Sequence, residues 1–312
     1  MEVRGDLLFQ SSGDLLADRR YGFALDLAAR GDHAGAVDLL EQAVDIAPRF
    51  ASAWFALGEL HERLGNLADA IVAFQRARDA DADDCHGAGL RIAKLGGEGR
   101  SAMPPGYVRA LFDQYAQRFD AALENLGYRA PALLLDAVKR CCLQRGRQLR
   151  FGQALDLGCG TGLAGAEFRP LCDWFTGVDL SSAMVAMASQ KGLYGRLEVA
   201  EIGAFMAAER AAGSKYDLIL AADTLPYIGD LTQFLNTAAS LLTPDALVAF
   251  TVETHADAGV VLGEKLRYAH SEIHVRDALG SSGLRAQVLE HRSTREEAGA
   301  PVPSLVVVAS VS

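Results

Sequence analysis

An apolar, strand-like run that ends in an acid and continues into three alternating glycines is the feature that most constrains this chain. Residues 151–157 form the run, and the motif Asp-Leu-Gly-Cys-Gly-Thr-Gly occupies residues 156–162. Because glycine tolerates positive φ and has no Cβ, a ligand can approach the backbone of such a turn closely. No lysine in the sequence follows a glycine, so the turn is not a P-loop. The motif predicts a strand, a ligand-binding turn and then a helix.

Strand-like and helix-like segments alternate through the second part of the chain. Apolar runs with helical periodicity between them predict strands at 151–157, 174–179, 196–200, 216–221 and 247–253. Two further strands are expected at 285–291 and 304–310, and because no long helix separates them they should pair antiparallel at one sheet edge. The expected fold is therefore α/β, with a doubly wound sheet of seven mostly parallel strands.

Acidic residues recur where the predicted parallel strands end. Asp179 follows the second strand, 23 residues after Asp156, while Glu201 follows the third strand and Asp223 the fourth. The carboxyl ends of parallel strands meet at one edge of the sheet, where open α/β sheets bind their ligands. An acid after the second strand is placed to bind the two hydroxyls of a ribose.

This combination of motifs resembles the class I S-adenosylmethionine-dependent methyltransferases over residues 107–312. The resemblance implies an enzyme with S-adenosyl-L-methionine as its cofactor. The glycines would wrap the methionine part, with Asp156 ordering the turn, Asp179 would hold the ribose, and Glu201 would accept a hydrogen bond from the adenine amino group. The implied cofactor-binding residues in this part of the chain are Asp156, Gly158, Cys159, Gly160, Gly162, Asp179, Leu180, Met184, Glu201, Ile202, Ala222 and Asp223.

An upstream helix adds two further candidates. The pattern Phe-Asp-x-x-Ala-x-x-Phe-Asp at residues 112–120 resembles the helix that covers the cofactor in many methyltransferases of small molecules. By this resemblance Tyr115 and Phe119 would contact the cofactor, and ordinary helix packing is the alternative for both. Packing inside the protein is likewise an equal alternative to adenine contact for Met184.

The residues after the fourth and fifth strands bear on the methyl acceptor. Residues 223–227 read Asp-Thr-Leu-Pro-Tyr, one residue longer and one proline short of the tetrapeptide typical of enzymes that methylate nucleobase amino groups. We expect residues 267–270 to form a loop over the pocket, where Arg267 could bind a substrate carboxylate and His270 could take a proton. The candidate catalytic residues are thus Tyr227, Arg267 and His270, and a surface pair without a catalytic role is the alternative for the last two. No third ligand accompanies His270 and His274, so no metal site is expected.

A repeat of 34 residues relates two stretches near the N-terminus. Phe23, Gly31, Ala36, Leu40, Ala43 and Pro48 correspond at this offset to Leu57, Gly65, Ala70, Phe74, Ala77 and Ala82. The small residues let paired helices approach closely, and the glycines end a helix at a turn. The pattern resembles the tetratricopeptide repeat over residues 16–83, with a capping helix expected at 85–95. Such a small all-α domain could serve packing or dimerisation, or it could bind a partner peptide.

Composition sets the domain organisation and excludes some classes of protein. The Gly- and Pro-rich segment 96–106 is expected to link a domain at 1–95 to one at 107–312. A net charge of −10 argues against a general nucleic-acid binder. No apolar run reaches the ~18 residues of a membrane span. The N-terminus lacks signal-peptide features, and five cysteines without a CxxC motif favour reduced thiols in the cytoplasm.

These observations favour an enzyme that transfers a methyl group to an oxygen, or to a nitrogen, of a small molecule. The acceptor would be acidic if Arg267 binds it. The alternatives are a protein methyltransferase whose repeats recruit the target, and an interaction scaffold that binds the cofactor without turnover.

Overall fold

The computed structural model describes residues 8–96 and 103–311, and it divides into two units between Leu111 and Phe112. Most of the expected linker, residues 97–102, lies outside the described residues. The division falls within the helix Pro105–Tyr115, a few residues after the expected domain start at 107. The domain limits 1–95 and 107–312 stay a prediction.

The N-terminal unit is built from paired helices. These are α1 (Leu15–Ala29), α2 (His33–Ile46), α3 (Ala51–Arg63), α4 (Leu67–Ala80) and α5 (Ala88–Gly96). The repeat glycines Gly31 and Gly65 have φ values of +87° and +80° at the two equivalent turns. A Cβ on Gly58 would lie 2.6 Å from the ring of Phe74, so α3 and α4 are in close contact at this glycine. The expected capping helix is α5, whose Ala88 packs in the same apolar cluster as Phe74.

The second unit begins within the helix Pro105–Tyr115 and continues through further helices into a sheet. The helices are α6 (Pro105–Tyr115), α7 (Phe119–Asn125), α8 (Ala130–Gln144), α9 (Leu163–Phe168), α10 (Ser182–Gln190), α11 (Ile202–Ala211), α12 (Leu231–Ser240) and α13 (Glu272–Ser281). The strands are β1 (Phe151–Leu157), β2 (Cys172–Asp179), β3 (Arg196–Val199), β4 (Tyr216–Ala221), β5 (Leu242–Glu253), β6 (Val260–Leu262), β7 (Tyr268–His270), β8 (Leu284–Glu297) and β9 (Ala300–Val311). Short 3-10 turns cover Ala116–Arg118, Arg169–Leu171 and Leu225–Tyr227.

The sheet has a parallel half and an antiparallel edge. Its order runs β3-β2-β1-β4-β5 with parallel pairing. Strand β9 then pairs antiparallel with β5, and β8 pairs antiparallel with β9. The expected α/β class, the seven strands and the small all-α N-terminal region are confirmed. The short hairpin of β6 and β7, which joins β5 through the pair Glu253 and Ala269, was not expected.

Helices cover both faces of the sheet, as the apolar strands require. Leu155 packs in one core cluster, which also holds residues of α11, α12 and α13. The adjacent Ala154 packs in the other, with residues of α8 and α9. Strand order reverses between β1 and β4, and open α/β sheets form a ligand-binding crevice at such a point. In the described part of the chain, no helix has the length and hydropathy to span a membrane.

Candidate cofactor-binding site

The turn after β1 has a backbone conformation that requires glycine. Gly158, Gly160 and Gly162 have φ values of +72°, +51° and +91°, a region that residues with a Cβ rarely adopt. A Cβ added to Gly158 would lie 2.4 Å from Thr224 Oγ1, so the turns after β1 and β4 pack directly together. Thr224 Oγ1 also donates a hydrogen bond of 2.9 Å to Leu157 O. Residues 158–162, which we name the glycine cradle, therefore lie where the strand order reverses.

Asp179, the predicted ribose-binding acid at the end of β2, accepts a hydrogen bond from the glycine cradle. Asp179 Oδ2 accepts a hydrogen bond of 2.9 Å from Gly160 N, and Oδ1 accepts one of 2.8 Å from Ser181 N. Burial raises the pKa of Asp179, and these two N–H groups oppose that rise. The backbone N–H of Cys159 donates to Val178 O at 3.0 Å. The structure thus brings the glycine motif and the acid after β2 to one place.

Asp156 is a buried carboxyl group with one oxygen that lacks a partner. Its Oδ2 accepts a hydrogen bond of 2.7 Å from the Tyr194 hydroxyl, whereas Oδ1 has no partner among the described residues. Burial raises the pKa of Asp156 to about 7, although the Tyr194 hydrogen bond lowers it. Buried acceptors are almost always satisfied, so Oδ1 fits a ligand that brings a donor, such as the ammonium group of a methionine moiety. The residues present fit S-adenosyl-L-methionine.

The two residues predicted to bind the adenine, Glu201 and Met184, both have contacts within the protein. Both carboxylate oxygens of Glu201 accept backbone hydrogen bonds, from Gly203 N at 2.8 Å and Ala204 N at 2.7 Å, and so cap α11. Met184 is completely buried in α10, in agreement with the packing alternative. Adenine contacts of these residues stay a prediction. The remaining implied residues are half-buried at the neighbouring strand ends, and they are Leu180, Ile202 and Ala222.

The predicted cover helix contributes aromatic rings close to the glycine cradle. Phe119 Cε1 lies 3.8 Å from the position of a Cβ on Gly160. Phe112 contacts both Phe119 and Tyr227 edge to face, with ring centroids 6.0 and 5.2 Å apart. Tyr115 instead has the guanidinium of Arg118, in the next turn, 5.7 Å from its ring centroid. The candidate catalytic residue Tyr227 is therefore part of an aromatic cluster with Phe112 and Phe119.

The two aspartates of the same motif bind the loops that follow β1 and β2. Asp113 Oδ1 accepts a hydrogen bond of 2.5 Å from Ser181 Oγ, and Asp120 accepts one from Thr161 Oγ1 within the glycine cradle. Lys191 lies 2.7 Å from the other oxygen of Asp120. These hydrogen bonds therefore connect the segment 113–120 to the loops after β1 and β2.

Asp223, expected beside the cofactor, has both carboxylate oxygens engaged. Thr251 Oγ1 donates to Asp223 Oδ1 at 2.7 Å and accepts from Asp223 N at 2.8 Å. Oδ2 accepts from Thr294 Oγ1 at 3.2 Å and forms an ion pair with Arg295. Asp223 itself has a φ of +53°, although it is not glycine. Its charge is therefore matched inside the protein.

The expectation that residues 267–270 form an exposed loop is wrong. Tyr268–His270 is strand β7, and the pairing of β6 with β7 buries His270 completely. His270 Nε2 contacts Ile228 O at 3.1 Å. Burial, with a smaller contribution from His274, lowers the pKa of His270 to about 4, so the ring is neutral near neutral pH.

Arg267 is likewise bound to protein acids. Its Nε lies 2.7 Å from Glu253 Oε1, and its Nη2 lies 2.9 Å from Glu297 Oε1. The substrate-binding and proton-accepting roles of Arg267 and His270 stay predictions. No cluster of three or more potential metal ligands occurs in the part of the chain that the structure describes.

Sequence reasoning missed several polar residues that complete the site: Tyr194, Thr251, Thr294 and Arg295. Tyr194 lies in the loop before β3, and no motif marks it. The last two lie beyond residue 291, where the predicted strand ended, whereas β8 continues to Glu297. The signal that could have found them is the cation followed directly by two acids in the sequence Thr-Arg-Glu-Glu at 294–297.

Two family models match the chain. Residues 155–248 match a model described as a methyltransferase domain, and residues 21–84 match one described as a tetratricopeptide repeat. The first covers β1 to the middle of β5, including the glycine cradle, and the second covers the helical repeats.

Similar curated proteins are methyltransferases by name. Human methyltransferase-like protein 27 is 36% identical over 93 residues, which cover 30% of this chain and 37% of that protein. A ubiquinone biosynthesis O-methyltransferase of Rhizobium leguminosarum bv. trifolii is 29% identical over 130 residues, 41% of this chain and 46% of that enzyme. The chain thus spans less than half the length of these relatives.

Solved structures give matches of the same kind. An S-adenosylmethionine-dependent methyltransferase from Clostridium acetobutylicum aligns with 62% of this chain and 98% of its own, at 17% identity and a TM-score of 0.48. Both predicted resemblances are confirmed by the family models. The chain combines a tetratricopeptide repeat region, matched at residues 21–84, with a methyltransferase domain, matched at residues 155–248.

Proposed function

We propose that this chain is an enzyme that transfers a methyl group from S-adenosyl-L-methionine to an oxygen of a small molecule, with nitrogen as the second choice of acceptor atom. One observation carries the proposal. A buried oxygen of Asp156, which has no partner within residues 8–96 and 103–311, adjoins a glycine cradle that Asp179 holds, at the crevice where the strand order reverses. This arrangement offers a ligand one buried acceptor, a closely approachable backbone and a second acid at the end of the next strand.

The protein's part in such a reaction is mainly positional. The cofactor supplies an activated methyl group on a sulfonium. The chain's own residues would bind the methionine part at the glycine cradle and the ribose at Asp179. They would also exclude water with the rings of Phe112 and Phe119, which lie over this side of the sheet. Holding the acceptor atom in line with the methyl group then accounts for most of the acceleration.

Oxygen is favoured as the acceptor atom by the name of a relative. The Rhizobium enzyme is named as an O-methyltransferase in ubiquinone biosynthesis. Tyr227 is the candidate catalytic residue that we place near the acceptor, because its ring contacts Phe112 edge to face. An aromatic cluster at this position suits an acceptor with an apolar or aromatic body.

The repeat region supports a protein partner, and the free cysteines support a cytoplasmic location. Tetratricopeptide repeats stack helices into surfaces that bind proteins or copies of themselves. All five cysteines are free, one half-buried and four buried, as expected of thiols kept reduced. We therefore propose a cytoplasmic enzyme whose repeats bind a protein or a second copy of the chain, without a nucleic-acid partner.

Titration of the purified chain with S-adenosyl-L-methionine tests the cofactor site. Wild type should bind it, and Asp179→Asn should weaken binding by about 10- to 100-fold, because hydrogen bonds to a charged acceptor contribute about 1.5–3 kcal/mol each. Asp173→Asn is the matched control, because Asp173 lies on the same strand but is exposed and pairs with Arg150. Equal affinity of the two variants would contradict the site.

Transfer of a labelled methyl group from the cofactor then identifies the acceptor class. We expect label in the small-molecule fraction of a cell extract, in a form that resists acid if an ether is made. Label in proteins would support the protein-methyltransferase alternative. Binding without any transfer would support the scaffold alternative.

A further inference from the structure

A β-bulge near the end of β8 contains two consecutive buried side chains. The register of β8 against β9 shifts between Ser293 and Glu296, and the two residues between them, Thr294 and Arg295, are only 0% and 7% exposed. Ser293 and Glu296 are three positions apart on β8 while their partners Pro303 and Pro301 are two positions apart on β9, so β8 carries one extra residue here, as in a β-bulge. The backbone of the bulge also binds a segment outside the sheet, since Arg129 N, just before α8, donates a hydrogen bond of 2.8 Å to Thr294 O.

The bulge places a guanidinium among three acids from three strands. Arg295 forms ion pairs with Asp223 after β4, with Glu253 at the end of β5, and with Glu297 at 2.8 Å from its Nε. Lys265 pairs with Glu297, and Arg267 pairs with both Glu253 and Glu297. A buried arginine is tolerated only when its charge is paired and its N–H groups are hydrogen-bonded. We name the six residues Asp223, Glu253, Lys265, Arg267, Arg295 and Glu297 the ion-pair network.

One end of the ion-pair network, Asp223, lies in the turn that packs on the glycine cradle. Asp223 has a φ of +53°, a conformation that costs energy for a residue with a Cβ and persists only where its surroundings impose it. The next residue, Thr224, touches Gly158, where a Cβ would come within 2.4 Å of its Oγ1. A continuous series of contacts therefore runs from Arg295 through Asp223 and Thr224 to the glycine cradle.

We propose that Arg295 is a positioning residue of the methyl-donor site, acting through Asp223. Its guanidinium fixes the Asp223 carboxylate, and thereby the strained turn that packs on Gly158. Arg295 touches neither donor nor acceptor. Because Arg295 also matches the charge of Asp223, the acids left to serve a cationic ligand are those of β1 and β2. This inference rests on the proposed function.

The test is a double-mutant cycle read by the dissociation constant for S-adenosyl-L-methionine. We expect Arg295→Met and Asp223→Asn each to raise the dissociation constant about 10-fold or more. The dissociation constant of the double variant should be no higher than that of the single variant that binds less tightly. Residues that act through one another are not additive, whereas independent structural effects would multiply. Arg295→Lys, which keeps the charge but not the fork of N–H groups, should fall between wild type and Arg295→Met. It also provides a readout if Arg295→Met does not fold.

Arg292→Met is the matched control. Arg292 lies three residues earlier on β8, is exposed and pairs with Glu290, so its variant should bind like wild type. Wild-type-like binding by Arg295→Met, or multiplicative losses in the double variant, would overturn the positioning role while leaving the proposed function intact. Failure of the wild-type chain to bind the cofactor would overturn the proposed function itself, and the positioning role with it.

Discussion

Glu297→Gln should destabilise the sheet-containing unit by an amount that depends on pH. The Glu297 carboxylate receives hydrogen bonds from Lys265, Arg267 and Arg295 and is 14% exposed. Burial by itself would raise the pKa of Glu297, but these three cations outweigh it and lower the pKa from 4.5 to about 2. At about 1.36 kcal/mol for each pKa unit, this fall corresponds to about 3 kcal/mol of unfolding free energy at pH 7.

The sign follows from the direction of the pKa change. Because the folded-state pKa lies below the unfolded one, the stabilisation is complete above about pH 4.5 and is lost as the pH falls towards 2. The difference in unfolding free energy between wild type and Glu297→Gln should therefore be about 3 kcal/mol at pH 7 and about 1 kcal/mol at pH 3. Removing one member of a buried ion pair commonly costs this much.

Urea denaturation followed by tryptophan fluorescence measures the effect. The chain has two tryptophans, so a Trp54→Phe background leaves Trp174 of β2 as the reporter of the sheet-containing unit. Glu296→Gln is the matched control, since the neighbouring Glu296 is exposed, and it should change stability by less than about 0.5 kcal/mol. A loss below 1 kcal/mol at pH 7, or one that is equal at pH 7 and pH 3, would refute the reasoning.

Three further changes test other parts of the site. Since the pKa of Asp156 is raised to about 7, affinity for S-adenosyl-L-methionine should increase several-fold from pH 6 to pH 8, measured by calorimetry, and Asp156→Asn should abolish that dependence. Gly158→Ala should abolish cofactor binding, because its Cβ would meet Thr224 at 2.4 Å; Gly192→Ala, also at positive φ but with open space around it, should bind normally, and equal behaviour of the two would exclude the steric explanation. His270→Gln should lower the unfolding free energy by about 1–3 kcal/mol, seen as a lower thermal midpoint, because buried polar contacts are lost. If the folded variant transfers labelled methyl 100-fold or more slowly with unchanged cofactor affinity, His270 takes part in the chemistry after all.

The sequence predicts best what local chemistry decides. Alternating glycines and the acid after β2 require a particular turn and a particular neighbour, and Gly160 N does donate to Asp179. Alternation of apolar runs and helices likewise predicts the main strands, because burial on both faces makes each strand a short apolar run.

What the sequence did not predict depends on contacts between distant segments. The three-residue strand β7 exists because β6 and β5 pair with it, so residues 267–270 look like a loop when read alone. The bulge in β8 depends on its register against β9, which no local pattern in 284–297 specifies. Glu201 shows a third limit, since the family resemblance implies adenine binding while its local contacts make it the N-cap of α11.

Under the proposed function, charge is distributed unequally along the sheet edge, between a donor side at β1 and β2 and an acceptor side at β4 and β5. Asp156 and Asp179, at the ends of β1 and β2, have no cationic partner among the described residues, and a cationic sulfonium ligand needs that excess of negative charge. On β4 and β5, Asp223 and Glu253 are matched by Arg295, and Arg267 is held by the same network. An acceptor that approaches from this side therefore meets paired charges and aromatic rings, not a free guanidinium. This arrangement favours an uncharged acceptor over the acidic one that Arg267 suggested from sequence, and it makes neutral phenols and alcohols the first compounds to test.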